Sequence, residues 1–227
     1  MYAVQNGHVG LAEYFLLRKS QINRQDADGL TPLMIAANER HPDIVELLLA
    51  FGADPEAQDR HGYTALMWAI YNKSWDCIPP LLATGKGLDL QNGFGETALH
   101  LALDYRCSDI AAMLIRRHAN VNLKDGRGRT PLHLAAKKGD HDNVLLLLAE
   151  GADTAARDEA GENPLMKSIR NGRVSVARLL LDQTGNLQTS NQEGQTALHL
   201  AAAEDLPDIA AALIRRKADL NRPDRQG

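Results

Sequence analysis

The chain repeats itself every 33 residues along its length. Glycine recurs at this interval at Gly29, Gly62, Gly95, Gly128, Gly161, Gly194 and Gly227. A leucine column, an Asp or Asn column three residues before the glycine and a Thr or Asn column two residues after it keep the same register. Such a period predicts a stack of short units, because a unit of this size buries too little apolar surface to fold without neighbours.

Each column has a local structural meaning. The Asp-x-x-Gly pattern is typical of a tight turn, in which the side chain closes the turn and glycine accepts a positive φ. The Thr that follows is predicted to cap a helix, and proline stands directly after it at Pro32, Pro131 and Pro164. An apolar first helix and an apolar second helix come next, and glycine ends the second helix at Gly52, Gly85 and Gly151. The unit is therefore predicted to run turn, helix, helix and extended return.

This register divides the chain into six full units at 26–58, 59–91, 92–124, 125–157, 158–190 and 191–223. Residues 1–25 fit it as a partial unit, and residues 224–227 open a further one. The last second helix has no polar outer face of the kind that closes a complete array, so we expect a segment of a longer protein. We predict one domain over residues 1–227.

The most regular unit resembles the ankyrin repeat almost residue for residue. It reads Asp125-x-x-Gly128-x-Thr130-Pro131-Leu132-His133-x-Ala135-Ala136-x-x-Gly139, followed by Gly151-Ala152-Asp153. The resemblance covers essentially the whole chain. It implies an all-α ankyrin-repeat solenoid of helix-turn-helix units with short β-hairpin loops. Ankyrin arrays bind unrelated partners on one architecture, so the resemblance implies a non-catalytic protein-protein interaction module and leaves its partner open.

Composition narrows the classes of function. Lys and Arg number 25 against 29 Asp and Glu, a net charge of −4, which argues against binding nucleic acid through bulk positive charge. No apolar run approaches the roughly 20 residues that span a bilayer, so no membrane insertion is expected. No secretory leader is expected from the residues after Met1. Two cysteines, Cys77 and Cys107, are too few for a disulfide framework, so we expect a reducing, cytoplasmic location.

Three features that could carry chemistry are better explained by structure. His100, His133 and His199 follow Thr-x-Leu. A metal ion would need the ring nitrogens of these histidines within about 2 Å of it, whereas packed helices of neighbouring repeats lie about 10 Å apart. Each histidine is therefore expected to hydrogen-bond the N-terminus of its own helix. The glycine-containing hairpin tips at 93–95 and 126–128 lack the lysine that follows the glycines of a phosphate-binding loop. The sequence also offers no recognisable general base that could activate either cysteine. We predict no catalytic residue, no metal site and no cofactor.

Four of the ten aromatic residues fall on columns that, by the resemblance, face the concave groove. They are Tyr63, Tyr71, Phe94 and Tyr105. The same columns of the following repeat are basic, with Arg127, Arg129, Lys137 and Lys138. Aromatic and Arg side chains are enriched at binding hot spots. We therefore predict that the four aromatics form one patch, bordered by Arg127 and Arg129, that anchors a partner protein or peptide, while the basic set meets acidic groups on it. Trp68 and Trp75 are expected to be structural.

Two other functions remain open at this point. The array could be the substrate-targeting domain of a larger enzyme or effector, which flanking sequence would reveal. The basic repeat 125–157 could bind a phospholipid or an inositol phosphate, which a liposome assay would reveal. The sequence does not fix the oligomeric state, and a monomer is favoured.

Some repeats depart from the pattern, and these departures predict local strain. Pro79 and Pro80 stand inside the second helix of repeat 59–91 and should delay or bend it. The turn between the two helices has a non-glycine residue at a left-handed position in four repeats, at Arg40, Lys73, Arg106 and Asp205. Repeat 158–190 shifts its terminal glycine by one position, to Gly185.

Overall fold

A computed structural model describes residues 1–18 and 20–225, which form two compact units, unit 1 over 1–105 and unit 2 from 106 onward. Lys19, Gln226 and Gly227 lie outside the described residues, so only part of the further repeat predicted at 224–227 is described. The division falls inside repeat 92–124, and the single domain over 1–227 stays a prediction.

Unit 1 is built from helix pairs. Its helices are α1 (Tyr2–Gln5), α2 (Val9–Leu17), α3 (Pro32–Asn38), α4 (Pro42–Ala50), α5 (Ala65–Tyr71), α6 (Ile78–Ala83) and α7 (Ala98–Asp104). The first helices of successive repeats, α1, α3, α5 and α7, pack side by side, and the second helices α2, α4 and α6 form a parallel row. The predicted helix-turn-helix unit is therefore present.

Unit 2 has the same plan. Its helices are α8 (Ser108–Arg116), α9 (Pro131–Lys138), α10 (His141–Ala149), α11 (Pro164–Arg170), α12 (Val174–Gln183), α13 (Ala197–Ala203) and α14 (Pro207–Arg215). Helices α9, α11 and α13 form one row, and α8, α10, α12 and α14 form the other. The all-α solenoid fold class is confirmed in both units.

The first helices begin at the predicted caps. Thr64 has extended backbone angles, and its hydroxyl accepts a hydrogen bond from the Met67 amide at 3.3 Å. One small residue in each first helix is fully buried, at Ala36, Ala69, Ala102, Ala135, Ser168 and Ala201. Ser168 is the polar exception, and its hydroxyl donates to the Leu165 carbonyl one turn earlier at 2.7 Å. These small side chains let neighbouring first helices pack closely.

The hairpin loops are tight turns closed by the Asx side chain. Asp59 accepts hydrogen bonds from the amides of His61 and Tyr63 at 2.9 and 2.8 Å. Gly62 has φ +77°, and a Cβ there would lie 2.9 Å from the Asn92 Cα, so only glycine fits. Successive tips are joined by backbone bonds such as Gly93 N–H to the His61 carbonyl at 2.7 Å. Among the described residues, β pairing is confined to a single bridge between Ser190 and Thr196.

The left-handed turns are as predicted, with two additions. Arg40, Lys73, Arg106 and Asp205 have φ of 63°, 57°, 59° and 51°. His118 and Lys217 are left-handed too, at 60° and 61°, because they occupy the column of the helix-ending glycines. Gly185 is not left-handed. Helix α12 continues to Gln183, and the chain leaves the helix at Thr184, which has an extended conformation with φ −87° and ψ 117°.

The proline pair delays the second helix of repeat 59–91, as predicted. A short 3-10 turn at Trp75–Cys77 precedes α6, and α6 begins only at Ile78. Pro79 and Pro80 then lie in its first turn, where a missing N–H breaks no helical hydrogen bond. The resulting α6 has 6 residues, against 9 in α4 and α10.

Candidate functional site

Four aromatic rings form a continuous row in unit 1. Trp68 and Tyr71 lie three residues apart on α5 and so share one face of that helix. The Tyr63 ring, from the preceding hairpin, lies 5.3 Å from Trp68 and 6.3 Å from Tyr71 between centroids. Tyr105, at the end of α7, meets Tyr71 edge to face at 5.6 Å. We call Tyr63, Trp68, Tyr71 and Tyr105 the aromatic row.

The row is exposed at the end formed by its tyrosines. The Tyr71 and Tyr105 residues keep 49% and 42% of their surface accessible, while Tyr63 and Trp68 are half-buried beside them. Phe94, at the tip of the next hairpin, is 66% exposed and makes no ring contact among the described residues. The structure therefore brings together three of the four predicted anchors and leaves Phe94 as a separate, more accessible ring. A large exposed apolar surface of this kind is typical of an interaction site.

Trp68 is the member of this row that was not among the predicted anchors. It was expected to be structural, and it is half-buried and contacts the rings of Tyr63 and Tyr71. Its indole N–H donates to the Asp59 carboxylate at 3.0 Å, which holds the ring against the hairpin. Its spacing of three from Tyr71 was the available signal. Trp75 was also expected to be structural; it begins the 3-10 turn and is 43% exposed.

The tyrosine hydroxyls lie in a negative environment. Burial and then the charge of Glu96 raise the pKa of Tyr63, although a hydrogen bond from the Asn92 side chain opposes this. Burial, the neighbouring tyrosines, Glu96 and Asp104 raise the pKa of Tyr105. Both hydroxyls therefore stay protonated at neutral pH.

The four predicted basic residues are not equivalent. The Arg129 guanidinium pairs with Asp125 at 2.6 Å, and the Arg129 side chain is only 13% exposed. Arg129 therefore stabilises the hairpin turn of its own repeat, and its side chain is mostly buried. Arg127 is exposed at the hairpin tip, and Lys137 and Lys138 are half-exposed at the end of α9. These residues belong to unit 2, whereas the aromatic row belongs to unit 1.

Repeat 158–190 carries a buried ionic cluster. Lys167 pairs with Asp158 at 2.7 Å and with Glu162 at 2.6 Å, and Arg170 pairs with Glu162 at 2.6 Å. The Asp158 and Glu162 side chains are 5% and 2% exposed. Burial acts to lower the pKa of Lys167, but the hydrogen bonds from its ammonium to both carboxylates outweigh it and raise that pKa. The charged groups of Asp158, Glu162, Lys167 and Arg170 therefore pair with one another.

The three histidines bond to their helix starts, as predicted. His133 Nδ1 accepts from the Thr130 amide at 3.1 Å, which leaves Nε2 to donate to the Glu162 carbonyl at 3.0 Å. Burial lowers the pKa of His133, so the ring is neutral. His100 and His199 contact the hydroxyls of Thr97 and Thr196 through Nδ1 in the same way, each at 2.8 Å.

Other groups with possible reactivity have structural surroundings. Cys77 is buried, and burial followed by the nearby Asp76 raises its pKa to about 11, so it is a thiol at neutral pH. Cys107 is half-buried at the start of α8. Within residues 1–18 and 20–225 no three His, Cys, Asp or Glu side chains are grouped so that they could hold a metal ion. No helix in this part of the chain is long and apolar enough to cross a bilayer.

Comparison with known proteins agrees with this architecture. A family model described as ankyrin repeats (3 copies) matches residues 1–86, 72–158 and 146–224. The crystal structure of the ankyrin repeat domain of Bcl-3, a unique member of the IkappaB protein family, is similar to this chain with a TM-score of 0.79. The two are 30% identical, and the match covers 92% of this chain and 96% of that one. No curated protein sequence matches.

Proposed function

Because the chain belongs to the ankyrin-repeat family, whose repeats are protein-protein interaction modules, we propose that it binds a partner polypeptide through the aromatic row and Phe94 of unit 1. The observation that supports this most is the exposure of Tyr71, Tyr105 and Phe94 in a chain with few aromatic residues. Packing on one another holds the rings of the aromatic row in place before binding, so little side-chain entropy is lost when a ligand covers that row.

Unit 2 has a different part in this proposal. Arg127, Lys137 and Lys138 meet acidic groups on the partner and speed its association. Arg129 has no such role, because its guanidinium is engaged by Asp125 within its own turn. The partner therefore has one segment that covers rings and another that is acidic.

The test begins with a random peptide display library, from which peptides that bind the immobilised protein are selected. The tightest peptide is titrated against the wild type, Phe94→Ala, Tyr71→Ala and the control Arg215→Ala. If the rings are hot spots, each aromatic variant weakens binding by about tenfold, which corresponds to about 1.4 kcal/mol. Arg215 ends the last helix, α14, and its variant should bind normally. Loss at Arg215→Ala with normal binding by both aromatic variants contradicts the proposal.

A second measurement tests the role of unit 2. Arg127→Glu reverses an exposed charge without touching a ring, so it should slow association several-fold and leave dissociation nearly unchanged. Raising the salt concentration should reduce the difference between this variant and the wild type. An unchanged association rate at low salt removes Arg127 from the proposed site.

A further inference from the structure

The groove columns around the exposed rings hold carboxylates and no Lys or Arg, while the guanidinium of Arg40, bonded beside them, donates to the Asn72 carbonyl next to Tyr71 at 2.8 Å. Those columns in the repeats of unit 1 hold four carboxylates, at Asp28, Glu39, Glu96 and Asp104, and no Lys or Arg. Unit 1 as a whole has seven Lys and Arg against thirteen Asp and Glu, a net charge of −6. Unit 2 has eighteen against sixteen, a net charge of +2. The negative charge of the chain is thus concentrated in the unit that also holds every aromatic residue.

Ring faces add to this negative field. The π face of an aromatic ring carries partial negative charge and attracts a cation placed over it. Tyr71 meets its neighbours Tyr63 and Tyr105 edge to face, at interplanar angles of 84° and 86°, so the rings are not stacked face to face, and the Tyr71 and Tyr105 residues are 49% and 42% exposed. Burial is the largest cause of the raised pKa values of Tyr63 and Tyr105, and the negative charge of Glu96 adds to it at both.

The carboxylates act mainly through their combined field. Glu96 already accepts a hydrogen bond from Asn92 at 3.1 Å, and Glu39 accepts one from Asn38 at 2.9 Å. Asn72 donates to Asn38 at 2.6 Å, which links Glu39 to the end of α5 that carries Tyr71. A cation over the rings therefore gains attraction from several fixed charges without displacing their existing partners.

From this complementarity we infer that the segment bound by the aromatic row is basic and carries arginine side chains between apolar ones. This deepens the proposed function and rests on it. Arginine fits better than lysine, because its planar guanidinium lies flat on a ring while its N–H groups still reach carboxylates at the edge. The apolar residues between the arginines cover Phe94 and the exposed edges of the tyrosines.

The experiment uses labelled peptides of one design, (Arg-Leu-Gly)3, (Lys-Leu-Gly)3, (Gln-Leu-Gly)3 and (Glu-Leu-Gly)3, titrated into the whole chain by fluorescence anisotropy. The Arg peptide should bind most tightly, the Lys peptide next, and the Gln peptide about tenfold more weakly than the Arg peptide. The Glu peptide should bind least. Equal affinity for the Arg and Gln peptides overturns the inference.

Variants separate the rings from bulk charge. The double variant Tyr71→Leu, Tyr105→Leu keeps apolar side chains but removes the ring faces, and should weaken the Arg peptide about fivefold or more. The matched double variant Tyr71→Phe, Tyr105→Phe keeps the faces and should bind nearly as the wild type does. Circular dichroism checks that both remain folded. If the Leu variant binds the Arg peptide normally, the attraction is not to the rings and the inference is wrong.

Two substitutions that each remove one carboxylate charge give the remaining control. Glu39→Gln and Glu46→Gln change the net charge equally, but Glu39 is linked to the end of α5 and Glu46 is an exposed residue of α4. Only Glu39→Gln should weaken the Arg peptide, by about twofold to threefold. Equal effects of the two variants indicate bulk attraction and overturn the inference.

The display selection distinguishes failure of this inference from failure of the proposed function. Selected peptides that need Tyr71 and Phe94 but lack Arg and Lys overturn only the inference. Selected peptides that bind Tyr71→Ala and Phe94→Ala normally overturn the proposed function as well. Peptides that need the rings and are enriched in Arg support both.

Discussion

Repeats 59–91 and 158–190 place different chemistry on the same three columns. These columns carry Tyr63, Trp68 and Tyr71 in the first repeat and Glu162, Lys167 and Arg170 in the second. In the first, rings pack on one another and keep an accessible face. In the second, carboxylate and cations neutralise one another, and Glu162 is buried. The same backbone therefore supports a partly exposed row of rings, which we propose as an interaction surface, in one repeat and an internally paired ionic cluster in the other.

The two arrangements share one structural task. In each repeat, a residue on the first helix donates to the free oxygen of the Asp that closes the hairpin turn. Trp68 supplies an indole N–H to Asp59 at 3.0 Å, and Lys167 supplies an ammonium to Asp158 at 2.7 Å. The Asp of the turn therefore accepts a side-chain donor of either chemistry. The residues on the neighbouring columns then vary freely, which is how a repeat array changes its ligand without changing its fold.

The largest effect is expected from breaking the ionic arrangement. Lys167→Met leaves the buried Asp158 and Glu162 carboxylates with fewer partners, so it should lower the free energy of unfolding by about 3 kcal/mol in urea titrations. Adding Glu162→Gln should recover part of the loss. Arg178→Met is the control, because its pair with Asp208 is exposed and worth about 0–1 kcal/mol. Similar losses for Lys167→Met and Arg178→Met would show that the cluster does not hold the repeat.

A smaller loss is expected from the corresponding change in the aromatic repeat. Trp68→Phe keeps a ring against Tyr63 and Tyr71 but removes the donor to the buried Asp59, so it should cost about 1–2 kcal/mol of unfolding free energy. Trp75→Phe is the matched control and should cost less, since that residue is 43% exposed and keeps an aromatic ring after the substitution. An equal cost for the two substitutions contradicts the assignment of Trp68 to the turn.

The next difference is one of local stability. Residues 73–91 contain a left-handed Lys73 and a shortened α6, whereas residues 130–150 contain a left-handed Gly139 and a full α10. Amide hydrogen exchange should be faster in the first segment. Lys73→Gly should stabilise the chain by up to about 1 kcal/mol and slow that exchange, while Lys73→Ala should not. Uniform protection of the two segments refutes this prediction.

The smallest expected effect is a pH dependence of the unfolding free energy, and it arises from His133 in unit 2. Burial holds its folded pKa below the ordinary value of 6.5, so the unfolded chain binds more protons as the pH falls. The contribution of neutral His133 to the free energy of unfolding is complete above pH 6.5 and is lost as the pH falls from 6.5 through the lower pKa of the folded state. His133→Gln should flatten this part of the curve of unfolding free energy against pH. An unchanged curve assigns the acid sensitivity to other groups.

The sequence predicts the fold well because its signals are local. A turn Asp, a capping Thr and a buried small residue each act within a few residues, and each recurs at a fixed interval. Even His118 and Lys217, whose left-handed conformation was missed, lie in the column of Gly52 and could have been predicted from the interval.

The site is harder to predict because side-chain pairing decides it. Arg129 and Arg127 look alike in sequence, yet Arg129 is bound to Asp125 and Arg127 is exposed. Trp68 was expected to be structural, and its contacts with Tyr63 and Tyr71 depend on ring orientations that its column does not specify. Column position alone does not distinguish a residue that completes its own turn from one that meets a ligand.

The most direct test of the account compares one column in the two repeats. Tyr71 and Arg170 occupy equivalent positions at the ends of α5 and α11. Tyr71→Ala and Arg170→Ala are each titrated with the tightest selected peptide, after circular dichroism has shown that both are folded. We predict that Tyr71→Ala weakens binding about tenfold, mainly through faster dissociation, and that Arg170→Ala binds as the wild type does. Normal binding by Tyr71→Ala together with loss of binding by Arg170→Ala would contradict the account.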